Sequence, residues 1–330
     1  MCVSRSGHKY AFLINPVSGS GRGLRIQAQL PLLLEAAGLE PSDWHIETTV
    51  RDGVAAQVSR LFETYDRVII AGGDGTIGQA LDGALDCGHP DRAVGFFPLG
   101  TGNDMALELQ VLRTFRWKGA QGLMQAFLDD RTVELDLWDV NGTNIMANYL
   151  SVGLDASVAM RFARYRQQHP NRSVLWNKLF YFMAGFANLR TYLKDFEVHL
   201  GNAGEASTNF AGARSVLILN ISSYAAGTLR SPGTRPDDGE LSIVPIPSFL
   251  SYVGLVPGTL FAPLARASAR ALLPIWRTRS VHARWQGEIP LQIDGEPRPE
   301  LGKAGHLDIT HKGKIKVLLG TRTPWFARHH

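Results

Sequence analysis

The sequence predicts an α/β protein in which a doubly wound, mostly parallel N-terminal domain precedes a mainly antiparallel, β-sandwich-like C-terminal domain. Three observations predict it. Apolar runs of strand length alternate with helix-spaced segments through the first third of the chain, the pattern of a parallel sheet flanked by helices. Glycine-rich turns follow three of those runs directly. Beyond about Arg131 helical spacing becomes rare and short alternating runs dominate, so the domains are drawn as 1–133 and 134–330. At 330 residues the chain is long enough for two cores.

Taken in order, residues 10–14 form a short apolar strand ending at Asn15–Pro16, and 24–37 carry Leu and Ile at helical spacing up to the stop signal Gly38. Residues 44–50 alternate as a strand, and 54–65 read as a helix. Residues 68–71 are a fully apolar strand entering a glycine turn, and 77–85 continue as a helix. Residues 93–98 make the next strand, and another helix begins at 104–109. Past the boundary, strands are read at 132–140, 144–152, 197–200, 214–222, 241–245, 280–284, 291–294 and 306–310. Helices are read only at 156–166 and 177–193, and the tail after about residue 312 is expected to pack back on the first domain.

The formal net charge of +4 decides little, but its distribution is uneven. Residues 156–194 hold no Asp or Glu, yet contain Arg161, Arg164, Arg166, Arg172, Lys178, Arg190 and Lys194. Residues 241–287 again hold no acid, with Arg266, Arg270, Arg277, Arg279 and Arg284. Positive charge mixed with apolar side chains suits an anionic membrane surface, and equally an ordinary solvated face. Cys2 and Cys87 are the two cysteines, so there is neither a disulfide framework nor a clustered thiolate metal site, which fits a reducing cytoplasm. The apolar run at 10–14 is too short for a signal-peptide core. Residues 243–265 are uncharged and long enough to span a bilayer, but Pro245, Pro247, Pro257 and Pro263 would break such a helix repeatedly. They read as a strand followed by irregular or short helical pieces, with lipid contact left open.

The turns carry the chemistry. The first runs Asn15-Pro16-Val17-Ser18-Gly19-Ser20-Gly21-Arg22-Gly23, where small residues let backbone N–H groups approach phosphate oxygens and Arg22 adds charge. Alone, it reads as a plain strand–helix turn. The second, Gly72-Gly73-Asp74-Gly75-Thr76, sets Asp74 among helix N-terminal donors, where a carboxylate can hold a metal-bound water or order the loop. It has neither the lysine of the P-loop nor the spacing of the dinucleotide turn. The third, Pro98-Leu99-Gly100-Thr101-Gly102-Asn103-Asp104, offers Thr101 and Asn103 to a ligand, and Asn103 or Asp104 as a helix cap. Loops after parallel strands gather at one sheet edge, so the three together predict a phosphate-bearing ligand. Asp237-Asp238-Gly239-Glu240 and Asp294-Gly295-Glu296 each have the composition of a hairpin turn. They also supply carboxylates that accept a hydroxyl proton or hold magnesium. The histidines are scattered without metal-ligand spacing.

The second turn followed by the third resembles the catalytic domain of diacylglycerol kinases. Asn148-Tyr149-Leu150-Ser151-Val152-Gly153-Leu154-Asp155-Ala156, Arg161-Phe162 and Trp176-Asn177-Lys178 resemble the accessory region of the eukaryotic-type members. Asp237-Asp238-Gly239-Glu240-Leu241 resembles the family's Asp-Gly-x-Leu turn. Gln292-Ile293-Asp294-Gly295-Glu296-Pro297, with Ile309-Thr310-His311-Lys312, resembles its C-terminal signature. The resemblance implies two domains with the active site in the cleft between them, nucleotide against the first and lipid pocket in the second. It implies ATP contacts at Asn15, Pro16, Ser18, Gly19, Arg22, Thr49, Gly72, Gly73, Asp74, Gly75, Thr76, Gly78, Gly100, Thr101, Asn103 and Asp104. It further implies Mg2+ on Asp238 with the main-chain carbonyls of Arg235 and Glu240, and catalysis by Glu296 as proton acceptor with Asp294 and Asp74. Two departures stand out. Val54 occupies a position where the family often has Asp, and Ile77-Gly78-Gln79 replaces the x-Asn-Glu of many bacterial members. The sequence holds no cysteine/histidine-rich lipid-binding domain, so membrane access is expected from the module itself.

The expected activity is transfer of the γ-phosphate of Mg-ATP to a lipid hydroxyl, diacylglycerol first, by a cytoplasmic protein peripherally bound at the membrane. Its expected partners are the lipid substrate and an anionic surface, not nucleic acid, with a homodimer left open. Rival readings are a kinase for a sphingoid base, another lipid or NAD, and a non-catalytic nucleotide or lipid sensor. NAD kinases share Gly-Gly-Asp-Gly but fit the 98–104 motif poorly, and retention of Asp74, Asp238, Asp294 and Glu296 argues against a sensor.

Overall fold

The computed structural model describes residues 7–19, 21–100, 103–168, 192–201, 207–224, 229–231, 233–248 and 276–320. They form two compact units. Unit 1 comprises the described residues up to Leu137 together with those from Gly313 onward, and unit 2 those from Trp138 to Lys312. Among the described residues no helix is long and apolar enough to cross a membrane.

Unit 1 runs β1 (Tyr10–Ile14), α1 (Arg22–Ala36), β2 (Trp44–Thr48), α2 (Val54–Phe62), β3 (Arg67–Gly72), α3 (Asp74–Asp86), β4 (Ala93–Pro98), α4 (Asp104–Glu108) and α5 (Val111–Leu128). β5 (Thr132–Val140) carries the chain through the boundary. The strands pair in parallel in the order β2-β1-β3-β4. Every residue of β1, β3 and β4 is buried, as befits a parallel sheet covered on both faces. The register pairs Ile14 with Ala71 and Gly72 with Pro98, so the carboxyl ends of three strands finish level. α2 buries Val54, Val58, Leu61 and Phe62, an i, i+4, i+7, i+8 stripe. Its close packing on α3 depends on Gly83, where a Cβ would lie 2.1 Å from the Ala55 carbonyl oxygen.

α5 was not foreseen, because the sequence reading stops at 104–109. Gln110, at φ +60, separates it from α4, and Gly119 (φ 68, ψ −168) kinks it. Phe97 stacks edge-on against both Phe115 and Phe127, tying the two halves of α5 to β4. Toward the amino ends of the strands, buried Arg67 donates Nε and Nη2 to Asp130 at 2.6 and 2.8 Å, with His8 Nε2 3.0 Å from the same carboxylate. Burial opposes ionisation of Asp130, but Arg67 and then His8 outweigh it and hold the carboxyl below the ordinary Asp range.

Unit 2 continues with β6 (Asn144–Met146), β7 (Tyr149–Gly153), α6 (Leu154–Gln168), β8 (Phe196–Leu200), β9 (Ser207–Asn209), β10 (Ser215–Leu219), β11 (Ser223–Tyr224) and β12 (Leu229–Arg230). Then come β13 (Leu241–Ile246), β14 (Trp276–Thr278), β15 (Ser280–Trp285), β16 (Leu291–Ile293), β17 (Glu296–Pro297), α7 (Pro299–Gly302) and β18 (His306–Leu318). One antiparallel sheet has the order β14-β13-β10-β7-β16-β17, and β18, β15, β8 and β9 form another. Alternate residues of both sheets share one core, among them Leu150, Val152, Val216 and Ile218 with Phe196, Val198, Val281 and Ala283. This is sandwich packing.

The strand expected at 144–152 is broken at Ala147-Asn148, whose N–H groups turn to the Asp294 carboxylate. β18 is much longer than the expected 306–310. Its first residues pair antiparallel with β15 inside unit 2, and Lys316 and Val317 pair parallel with Ala93 and Val94 inside unit 1. The helix expected at 177–193 and the apolar run 243–265 lie outside the described residues but for 192–193 and 243–248, as do Arg172, Lys178, Arg190, Arg266 and Arg270 of the two acid-free stretches.

Candidate active site

In unit 1 the three glycine turns sit at the carboxyl edge of β1, β3 and β4, and hydrogen bonds bind each to the others. Asn15 Nδ2 donates to Thr76 Oγ1 (3.0 Å), joining the first turn to the second. The Asn103 N–H donates to both Asp74 carboxylate oxygens (3.1 and 3.2 Å), joining the third to the second. Arg22 Nη2 and Nε donate to the carbonyls of Leu99 (2.7 Å) and Gly19 (3.1 Å), joining the first to the third. The Arg22 guanidinium thus holds loops together, a task its expected phosphate contact did not include. Gly73 and Gly100 meet backbone to backbone, since a Cβ on Gly100 would lie 2.9 Å from the Gly73 Cα. That contact leaves no room for a side chain at Gly100, whereas a Cβ on Gly73 would lie 3.4 Å from the Gly100 Cα, an ordinary contact.

No side chain caps α3, and an uncapped helix N-terminus opening into a glycine turn is an anion site. Asn103 stands at the N-cap of α4 with φ +56 but makes no capping bond; its Nδ2 donates instead to the Gly100 carbonyl (2.7 Å). Its Oδ1 has no hydrogen-bond partner among the described residues although the residue is only 4% exposed. Asp104 is buried in the same turn. Thr49 closes the edge of β1, its N–H donating to the Ile14 carbonyl (2.8 Å). Pro16, Ser18, Gly75 and Gly78 lie on the same loops and on the first turns of α3, and Thr101 is outside the described residues. Sequence reasoning missed Val17 and Val50, apolar yet 81% and 60% exposed on the loops after adjacent strands β1 and β2.

In unit 2 the register places both acidic turns on one edge of the first sheet. Ser242 pairs with Leu219, Leu219 with Tyr149, and Leu150 with Ile293. The turn before β13 and the turn after β16 therefore lie three strand spacings apart, about 14 Å. In the first, Asp238 Oδ1 accepts the Glu240 N–H (3.1 Å), Oδ2 pairs with Arg277, and Arg277 also reaches Glu240 at 2.9 Å. Arg235 grips Asp237 with two bonds of 2.9 Å, which hold its guanidinium more firmly protonated. Burial pushes the Asp238 carboxyl above the ordinary Asp range despite Arg277. Among the described residues no three His, Cys, Asp or Glu side chains are grouped to hold a metal.

In the second turn Asp294 (φ +52) accepts the N–H groups of Ala147, Asn148 and Tyr149 at 2.9, 2.8 and 2.9 Å, while its own N–H returns to the Tyr149 carbonyl. Asp294 is the anchor of this turn. Glu296 is exposed on β17. Beneath it lies a buried relay with no role assigned from sequence. The Gly295 N–H donates to Gln292 Oε1 (2.6 Å), Gln292 Nε2 to Ser151 Oγ (2.8 Å), and Ser151 Oγ to Asp155 Oδ2 (2.5 Å), with Tyr224 O–H on Asp155 Oδ1. The i, i+4 spacing of Ser151 and Asp155 was the one signal available, and it crosses a strand–helix junction. Asn148, 7% exposed on the same edge, has an Oδ1 without a partner among the described residues.

Comparison with known proteins divides the chain close to the junction at Leu137 and Trp138. The family described as "Diacylglycerol kinase catalytic domain" matches residues 9–140, and "Diacylglycerol kinase accessory domain" matches 145–297. The chain belongs to the diacylglycerol kinase catalytic-domain family. Among curated relatives, diacylglycerol kinase 2 of Arabidopsis thaliana is 29% identical over 278 residues, 77% of this chain and 39% of its own length. The eye-specific diacylglycerol kinase of Drosophila melanogaster is 31% identical over 272 residues, 70% of this chain and 17% of its own. Human diacylglycerol kinase iota is 28% identical over 275 residues, 70% and 24% respectively. The chain thus spans less than half the length of these relatives. A solved structure titled as a diacylglycerol kinase from Bacillus anthracis shares the fold with TM-score 0.66 and 17% identity, covering 96% of this chain and 98% of that one.

Proposed function

We propose that the protein is an ATP- and magnesium-dependent lipid kinase that converts diacylglycerol to phosphatidic acid. The observation that carries this reading is the gathering of three mutually braced glycine turns at the carboxyl edge of β1, β3 and β4, beside the uncapped start of α3. Backbone amides there hold the phosphates of the nucleotide, and Val17 and Val50 offer apolar cover to its base. Asp74 works through the Asn103 N–H, holding the third turn against the second.

The oxygen donors of the 235–240 turn fit magnesium, a hard cation. Asp238 would hold it with the carbonyls of Arg235 and Glu240, and its burial-raised pKa marks a carboxylate whose charge Arg277 only partly balances. Bound there, the ion neutralises charge on the transferring phosphoryl group. Glu296, exposed, accepts the proton of the lipid hydroxyl, while Asp294, bonded to three N–H groups, keeps its turn in place. Phosphoryl transfer needs mainly positioning and charge neutralisation, and these groups supply both. Unit 2 presents the lipid from a peripheral position on the membrane.

The test is labelled-ATP transfer to diacylglycerol, a sphingoid base and NAD side by side, with Asp74→Ala as control. Diacylglycerol is expected to be labelled, and Asp74→Ala to lose about a hundredfold in kcat/KM for ATP with its melting curve intact, the cost of a misplaced loop. Labelling of NAD alone, or full lipid turnover by Asp74→Ala, would reject the assignment.

A further inference from the structure

We propose that the corner of α5 formed by Arg116, Trp117 and Lys118 docks unit 1 on an anionic lipid bilayer. Trp117 is 88% exposed, the most exposed large apolar side chain among the described residues. Its neighbours explain why it points outward. Phe115 is fixed inward by Phe97 (ring centroids 6.0 Å apart), and Val111, Leu112 and Thr114 are buried. Helical spacing then turns Arg113, Arg116 and Trp117 to the opposite face. All three, with Lys118, are exposed.

The chemistry of the patch selects its occupant. No Asp or Glu occurs from Leu109 to Leu128, and among the described residues no carboxylate pairs with Arg116 or Lys118. Indole beside unpaired cations is the composition of the membrane–water interface, where the ring sits at headgroup depth and the charges meet anionic lipid. The shape agrees. Gly119 adopts φ 68, ψ −168, a conformation only glycine holds without strain, and it ends the first half of α5 immediately after Lys118. Trp117 therefore stands on a convex corner that can enter a soft surface, not in a groove that would receive a peptide. This surface is separate from the acid-free stretches at 156–194 and 241–287. The inference rests on the lipid-kinase reading for its purpose, but its test does not.

The experiment is flotation of the full-length protein with vesicles of phosphatidylcholine alone and of phosphatidylcholine with phosphatidylglycerol, without ATP. Wild type is expected to float with the anionic vesicles. Trp117→Ala should lower the partition coefficient several-fold, and Arg116→Ala with Lys118→Ala by about fivefold per charge. Lys303→Ala, an exposed charge on unit 2, should leave it unchanged. All variants should melt as wild type does, and Trp117→Ala should keep its turnover on detergent-dispersed diacylglycerol while losing it on vesicles. Flotation of Trp117→Ala equal to wild type, or failure of wild type to float, overturns the proposal. So does a wild-type dimer that Trp117→Ala converts to monomer, which would give the patch to a second copy. A protein that floats as expected but phosphorylates no lipid would refute the kinase reading and leave the docking surface standing.

Discussion

Asp294 and Glu296 are two residues apart and do different things. One is engaged by three backbone donors and shapes the turn; the other stands exposed on the first residue of β17. Replacing Glu296 by Gln should therefore lower kcat by about 10²- to 10⁴-fold, the usual worth of a general base, without moving the melting temperature. A variant retaining more than a tenth of wild-type kcat would exclude it as the proton acceptor. The pair also shows what sequence can convey. Asp-Gly-Glu was legible as an acidic turn, yet its division of labour depends on Ala147–Tyr149, which lie far away in the chain and come beside it only through the pairing of β7 with β16. Arg22 is a similar case. Its charge was legible, but its attachment to the Leu99 carbonyl requires two loops to meet.

At the level of elements, α3 carries an unusual residue in its second turn. Gly78 has nothing within 4 Å of where a Cβ would stand, so no packing requires it. Gly78→Ala should stabilise the protein by about 0.5–1 kcal/mol through helix propensity, read from urea unfolding. A loss of stability would mean that the open space is filled in solution. The clasp between β3 and the end of α5 makes a pH prediction. Asp130 titrates below its unfolded value when folded, so its stabilising effect is present at neutral pH and is lost as pH falls through the ordinary carboxylate range to the depressed folded value. Asp130→Asn should flatten the acid limb of the stability curve, and an unchanged limb would show that the Arg67–Asp130 pair does not contribute. The strands of this unit were readable because burial on both faces makes them continuous apolar runs. α5 was not, since the glycine at its kink reads as a terminator and its first half interleaves Arg and Lys with its apolar residues.

For the whole molecule, the two-layer change from parallel to antiparallel sheet was plain in the spacing of apolar residues. The length of β18 was not. Its middle, Thr310 to Lys314, is too polar to look like a strand interior, and only the partners on each side extend it. Ending the chain at Lys312 should remove Val317, Leu318 and Leu319, all fully buried, at about 1.5–3 kcal/mol for each side chain. Calorimetry of that truncated protein should show an early transition and loss of nucleotide binding; an unaltered profile would deny the segment any part in unit 1.

Because the strand that pairs with the outer edge of β4 is built from Lys316 and Val317, unit 2 is an insertion within the sequence of unit 1. A nascent chain must therefore be made through the whole of unit 2 and past Val317 before its first sheet can close. For the whole of that interval β4 has an open hydrogen-bonding edge, which is when a chaperone would have most to protect.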